Sequence, residues 1–255
     1  MITFNKNPGL VVYLTVGDPN IAVTRDIALA VLDAGADVVE LGVPFSDPLA
    51  DGPAIQAASQ RALLANTSLL DVLKLAADLR KLRPSAGMIV FSYLNPLVRL
   101  GLREFCERAA SSGVDGALLT DLTVEEADEY LQLARSQGLA TVFLAAPTST
   151  DARLKKIAEV STGFVYAVSR TGVTGAQAQM TNDAESLVAR LRQFTQVPIA
   201  VGFGISTRQQ VQAVGKFADA AVVGSALVTA AHQAGARNAA KVAGDLVREL
   251  LAEPE

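Results

Sequence analysis

Along the whole chain, short runs rich in Val, Ile, Leu and Phe recur about every thirty residues and alternate with amphipathic helical stretches. The runs fall at 10–17, 36–44, 87–94, 114–122, 139–147, 163–169, 197–204 and 220–228. Each is apolar without alternation, which predicts strands buried on both faces, as parallel strands are when helices cover them. Between them, stretches such as 69–82 and 124–136 place apolar residues three and four apart with charges opposite, the pattern of an outer helix. About eight such units predict an α/β fold, a single (β/α)8 TIM barrel with its active site at the C-terminal ends of the strands. An open doubly wound sheet is the competing architecture, but it collects ligand contacts at one crevice. Here polar residues gather after many of the runs, which favours the barrel. Gly35, Gly113, Gly138 and Gly163 precede strands and read as helix stops that tolerate positive φ.

The 255 residues, half of them hydrophobic, supply core enough for one domain spanning 1–255, and no linker or shift of composition marks a boundary. The 22 basic and 26 acidic side chains nearly balance, and no basic tract with interleaved aromatics offers a footprint for nucleic acid. Cys106 cannot form an internal bridge and lies in a helical stretch beside Glu104, Glu107 and Arg108. It reads as a small buried apolar residue rather than a nucleophile, because no base stands next to it. The first eight residues lack an apolar signal core and no later run is long enough to span a bilayer, so no membrane partner and a cytoplasmic location are expected.

In a barrel the strand ends meet on one face, so candidate chemistry is sought there. Glu40 sits inside the apolar run Val38-Val39-Glu40-Leu41-Gly42-Val43, where a carboxylate either faces a polar pocket or is costly to bury. It reads as a catalytic acid or base, or else as a buried carboxylate paired with an arginine or capped by backbone N–H groups. The following segment, Pro44 to Pro53, is a long loop carrying Asp47 and Asp51. Either can be a helix cap or turn former; together with Glu40 they predict an acidic pocket.

Three glycine-rich pieces follow later strands: Gly172-Val173-Thr174-Gly175, Gly202-Phe203-Gly204-Ile205-Ser206 and Gly224-Ser225. Backbone N–H groups in such loops close on anionic oxygens, so a phosphate-bearing substrate is expected, the alternative being that glycine only relieves crowding. None of Lys6, Lys74, Lys81, Lys155, Lys156, Lys216 and Lys241 ends a strand, which makes a Schiff-base aldolase hard to build. The only histidine, His232, reads as a surface residue, so neither a metal site nor a Ser–His pair is expected. The glycine loops do not match a dinucleotide fingerprint. What remains is acid–base chemistry on a sugar phosphate with no cofactor.

The block Glu40-Leu41-Gly42-Val43-Pro44-Phe45-Ser46-Asp47-Pro48-Leu49-Ala50-Asp51-Gly52-Pro53, with Ser169-Arg170-Thr171-Gly172-Val173-Thr174-Gly175 and Gly202-Phe203-Gly204-Ile205-Ser206, resembles the tryptophan synthase α subunit family. The resemblance extends to Tyr13-Leu14-Thr15-Val16-Gly17-Asp18-Pro19, Tyr93-Leu94-Asn95-Pro96, Ala146-Pro147-Thr148 and Val222-Val223-Gly224-Ser225-Ala226, in the same order from first strand to last. It implies cleavage of indole-3-glycerol phosphate to indole and glyceraldehyde 3-phosphate, with Glu40 as general acid and base and Asp51 accepting the indole N–H. It further implies that Gly175, Gly204, Gly224 and Ser225 hold phosphate, and that Tyr13, Tyr166 and Phe203 line the rest of the pocket. Ile55 and Gly202 are carried over as substrate contacts, and Arg170 and Thr174 as parts of a loop that closes over substrate. Without the resemblance, Arg170 would read as a solvated loop charge. The implied partner is a pyridoxal-phosphate β subunit in an α2β2 heterotetramer, with Asp47, Pro48 and Asn95 near the contact.

Two departures from the family pattern stand out. Only a short polar, Pro-containing segment precedes residue 10 where a helix usually covers the barrel's bottom, so that cover is missing or improvised; and Thr123 stands where Pro is common, in a loop expected near the pocket. Competing functions are a stand-alone indole-releasing lyase, a neighbouring phosphate-binding barrel isomerase, and a non-catalytic regulatory subunit that binds ligand.

Overall fold

The structure, a computed structural model, describes residues 2–168, 177–202 and 204–252, without the side chains of 177–182. Eight parallel strands close into a barrel in sequence order: β1 Gly9–Thr15, β2 Val38–Gly42, β3 Gly87–Ser92, β4 Gly116–Leu119, β5 Ala140–Ala145, β6 Val165–Val168, β7 Ile199–Gly202 and β8 Ala220–Val223. β1 pairs with both β2 and β8, which seals the ring. Around it run α1 Ile21–Asp33, α2 Pro53–Leu64, α3 Leu69–Leu82, α4 Leu94–Leu100, α5 Leu102–Ser111, α6 Asp128–Ser136, α7 Asp151–Val160, α8 Gln177–Leu191, α9 Arg208–Val214, α10 Ser225–Ala234 and α11 Ala239–Leu251. The expected barrel is therefore the observed one.

Continuous apolarity along the strands has the predicted cause. On β1, Leu10, Val12 and Leu14 join Val39 and Leu41 in the layer beneath the helices. Val11 points the other way and packs with Val38, Ile89, Leu118, Val142 and Phe164 inside the barrel. Two cores thus share each strand, and the inner one fills the lower half, so any opening must lie above it.

Ile2 and Phe4 supply the bottom cover. Ile2 is 4% exposed and belongs to the inner core, and the Phe4 ring meets Phe164 edge-on at 6.1 Å. The N-terminal segment plugs the barrel with these two side chains.

The same end carries a repeated tie. Asp37 accepts the Leu10 N–H at 2.9 Å, Asp115 accepts Met88 N–H at 2.8 Å, Thr162 accepts Thr141 N–H at 3.0 Å, and Asp219 accepts Ile199 N–H at 2.6 Å. Each acceptor precedes an even-numbered strand and holds its odd-numbered neighbour, which helps to set the register of that pair.

Several boundaries differ from expectation. The apolar run 220–228 is strand only to Val223; Gly224 turns the chain and α10 begins at Ser225. Apolarity alone does not separate a buried strand from the helix that follows. α6 starts at Asp128 rather than 124, because the Glu126 N–H is already held by the Thr123 carbonyl in a turn. Gly35, Gly113 and Gly138 have the expected positive φ, but Gly163 does not; a Cβ there would press on Ile2, Ala140 and Val142 at 3.1 to 3.3 Å. Among the described residues no helix is long and apolar enough to cross a membrane.

Candidate active site

Above the inner core the barrel opens into a cavity of about 700 Å³, and both candidate carboxylates line it. Glu40 lies mid-strand on β2, in register with Tyr13 on β1 and Ile89 on β3. It is 1% exposed, and its Oε1 has no hydrogen-bond partner. Burial alone pushes its pKa up to about 8. The alternative of a carboxylate neutralised by an arginine or capped by N–H groups finds no support, since nothing opposes that burial. A buried acid with an idle oxygen beside a cavity is placed where it could exchange a proton with a bound molecule.

Asp51 comes from the β2–α2 loop. Gly52 caps α2 and Pro53 opens it, a favoured residue for the first turn, so the chain leaves the loop directly after Asp51. The loop is braced from within: Asp51 N–H donates to Pro48 O at 3.0 Å, and Gln56 Nε2 donates to Asp51 O at 2.9 Å. Burial raises the Asp51 carboxyl to about 6, and a hydrogen bond from the Tyr93 hydroxyl, 3.1 Å from Oδ2, opposes that rise.

Aromatic side chains complete the wall. Tyr13 and Phe91 meet edge to face at 5.0 Å, and the Thr15 hydroxyl donates to the Tyr13 hydroxyl at 3.3 Å. Burial pushes the phenols of Tyr13 and Tyr166 well above their usual range, so both remain protonated. Ile55 lines the cavity from α2. Gly202 ends β7, and a Cβ there would lie 2.1 Å from the Tyr166 hydroxyl, so glycine at this position admits that ring.

Gly204, Gly224 and Ser225 also line the cavity, Gly224 beside Tyr13 where β8 adjoins β1 and α10 begins. An anion held there meets unpaired N–H groups and the positive end of a ten-residue helix. Ser206, Thr229 and Gln233 line it too and were not singled out beforehand. The spacing of Ser225, Thr229 and Gln233, four apart on one helical face, was the available signal.

Arg170, Thr174, Gly175 and Phe203 lie outside the described residues. Asp47 is exposed and outside the lining, where it accepts from the Ser46 hydroxyl. The expected acidic pocket therefore contains two carboxylates rather than three, because the turn at 47–51 aims only the second inward. Pro48 lies on the loop between β2 and α2 and the exposed Asn95 in the first turn of α4, after the neighbouring strand β3, with Leu49 next to Pro48 and 92% exposed. Thr123 lines an adjoining cavity of about 260 Å³ toward α7, which shares Thr120 and Leu144 with the one holding the carboxylates. Cys106 is buried, which pushes its thiol up to about 11, and His232 is exposed. Among the described residues no three His, Cys, Asp or Glu side chains converge as metal ligands.

A family model described as tryptophan synthase alpha chain matches residues 2–251. The tryptophan synthase alpha chain of Nitrosococcus oceani is 48% identical over 224 residues, 88% of this chain and 83% of that protein. That of Neisseria meningitidis serogroup A is 44% identical over 241 residues, 94% and 92% of the two chains. A solved chain of the tryptophan synthase α2β2 complex from Pyrococcus furiosus matches with a TM-score of 0.90 at 42% identity, covering 96% of this chain and 98% of its own. A Mycobacterium tuberculosis tryptophan synthase chain matches at 0.86 and 32% identity, with 96% and 93% covered.

Proposed function

The chain belongs to the tryptophan synthase alpha chain family, and on that premise we propose that its cavity cleaves indole-3-glycerol phosphate to indole and glyceraldehyde 3-phosphate, with Glu40 moving the protons and Asp51 holding the indole N–H. The observation that carries the assignment of roles is Glu40 itself: buried, unpaired at Oε1 and raised to about 8 beside a cavity it shares with Asp51.

With that pKa, Glu40 enters the reaction protonated near neutral pH. It gives its proton to the ring carbon bearing the glycerol chain, and the ring π electrons form the new C–H bond. Positive charge then develops at the ring nitrogen, where an ionised Asp51 accepting the N–H stabilises it most in the transition state. Glu40, now a carboxylate, takes the glycerol hydroxyl proton; the C–O bond becomes the aldehyde carbonyl, the C–C bond breaks, and its electron pair returns to the ring. One proton is given and one recovered, so the catalyst is regenerated.

Gly204, Gly224 and Ser225 at the start of α10 suit the phosphate, and Tyr13, Ile55 and Tyr166 suit the indole and glycerol portion. Gly175 and Phe203 extend these contacts in this reading, and Arg170 and Thr174 belong to the closing loop. A pyridoxal-phosphate β subunit is the proposed partner, docking on Asp47, Pro48 and Asn95; the exposed Leu49 beside Pro48 and the exposed Val98 on α4 with Asn95 offer it apolar anchors.

Indole release from indole-3-glycerol phosphate, with and without a tryptophan synthase β subunit and beside Glu40→Gln, tests this. Slow release, stimulation by β and loss in the variant are expected. Fast release indifferent to β would instead mark a stand-alone lyase, and no release at all would remove the catalytic assignment.

A further inference from the structure

Tyr93 ends the β3 segment and caps α4, and its residue type alone does not mark it as part of the chemistry. The residue is 5% exposed, with its ring tilted against Phe45 at 5.1 Å, so the phenol is clamped between the loops after β2 and β3. Its hydroxyl has three hydrogen-bond partners, the Thr120 side chain among them. It accepts the Ala50 N–H at 2.9 Å and donates to Asp51 Oδ2 at 3.1 Å. A phenol has one proton, so that proton is committed to the carboxylate. Among the described residues, no other side chain donates to the Asp51 carboxylate.

Resting on the assignment of Asp51 to the indole N–H, we propose that Tyr93 is a positioning residue that pins Oδ2 of Asp51 and leaves Oδ1 directed at the substrate. A carboxylate on a surface loop has two rotatable bonds and two equivalent oxygens; one fixed donor removes both ambiguities before substrate arrives. The same bond favours the charged form of Asp51 against its burial, which the N–H contact requires. Burial holds the Tyr93 phenol far above its usual range, so it remains a donor across the working pH. The Ala50 N–H fixes the hydroxyl from its other side, one residue away from the carboxylate it serves.

Tyr93→Phe keeps the ring against Phe45 and removes only the hydroxyl. The pH dependence of kcat/KM for indole release is measured for this variant, the unmodified chain and Asp51→Asn. Alongside it, the Asp51 carboxyl is titrated by ¹³C NMR, its signal assigned by its absence in Asp51→Asn. Tyr93→Phe is expected to lose roughly tenfold in kcat/KM on the acidic side and to move the acidic limb up by about one pH unit, because a hydrogen bond to a charged group is worth about that much. The Asp51 signal should shift with it. A ring that served packing alone moves neither quantity, and that result overturns the positioning role while leaving Asp51 in place. If Asp51→Asn retains full activity, the N–H assignment itself fails and the positioning role fails with it.

Discussion

A carboxyl lifted by burial has consequences for both activity and stability, and Glu40 shows both. The proposed roles need Asp51 ionised in the free protein, above about pH 6, and Glu40 protonated, below about pH 8. The kcat/KM profile for indole release is therefore expected to be a bell between those limits, and a profile still rising above pH 8 would count against Glu40 as the initial acid. The stability sign follows from the same shift. A folded pKa above the ordinary 4.5 means that the folded state holds the proton more tightly, so stability falls as pH rises from 4.5 through about 8. Glu40→Gln removes this dependence; urea unfolding should show the variant gaining on the unmodified chain by on the order of 3–5 kcal/mol over that window while losing indole release. Glu40 was legible in the sequence because a charge inside an apolar strand is anomalous. Tyr93 was not, since a tyrosine beginning a helix is ordinary until its hydroxyl is seen on Asp51.

At the scale of elements, strand pairing is tied at the bottom and chemistry is placed at the top. Asp115 holds the N–H of buried Met88 and forms an ion pair with Arg80 at 2.8 Å. Asp115→Ala leaves that N–H without its acceptor and Arg80 without its carboxylate partner, though still bonded to the Gly113, Pro84 and Ala86 carbonyls, and should cost about 2–4 kcal/mol in urea unfolding, with the indole-release rate of folded protein unchanged. α3 was readable to the residue because its apolar spacing is uninterrupted and the Ser68–Asp71 capping box marks its start. The end of β8 was not, since the apolar run carries on into α10 and only Gly224 breaks it. The inward aim of Asp51 and the outward aim of Asp47 were equally hidden, being set by turn bonds at 47–51 and by Gln56 rather than by residue type.

Across the whole molecule, stability and function occupy opposite ends of one barrel. Ile2→Ala empties part of the bottom plug and should lower unfolding free energy by about 2–3 kcal/mol while leaving kcat/KM intact, because the filled inner core separates it from the cavity. Leu49→Ser tests the other end. It should weaken stimulation by the β subunit without reducing unstimulated release, since Leu49 lies outside the cavity lining.

The order of strands and helices, the barrel and the carboxyl buried within β2 were all determined by the sequence, because each rests on local periodicity or on a residue type anomalous in its surroundings. The substitutes and partnerships were decided only by the tertiary structure: Ile2 and Phe4 closing the barrel, Asp47 turned away, Gly202 yielding to Tyr166, and Tyr93 reaching Asp51 across 42 residues. These depend on which side chains meet when the ring closes, and closure brings together atoms whose separation along the chain no local pattern records.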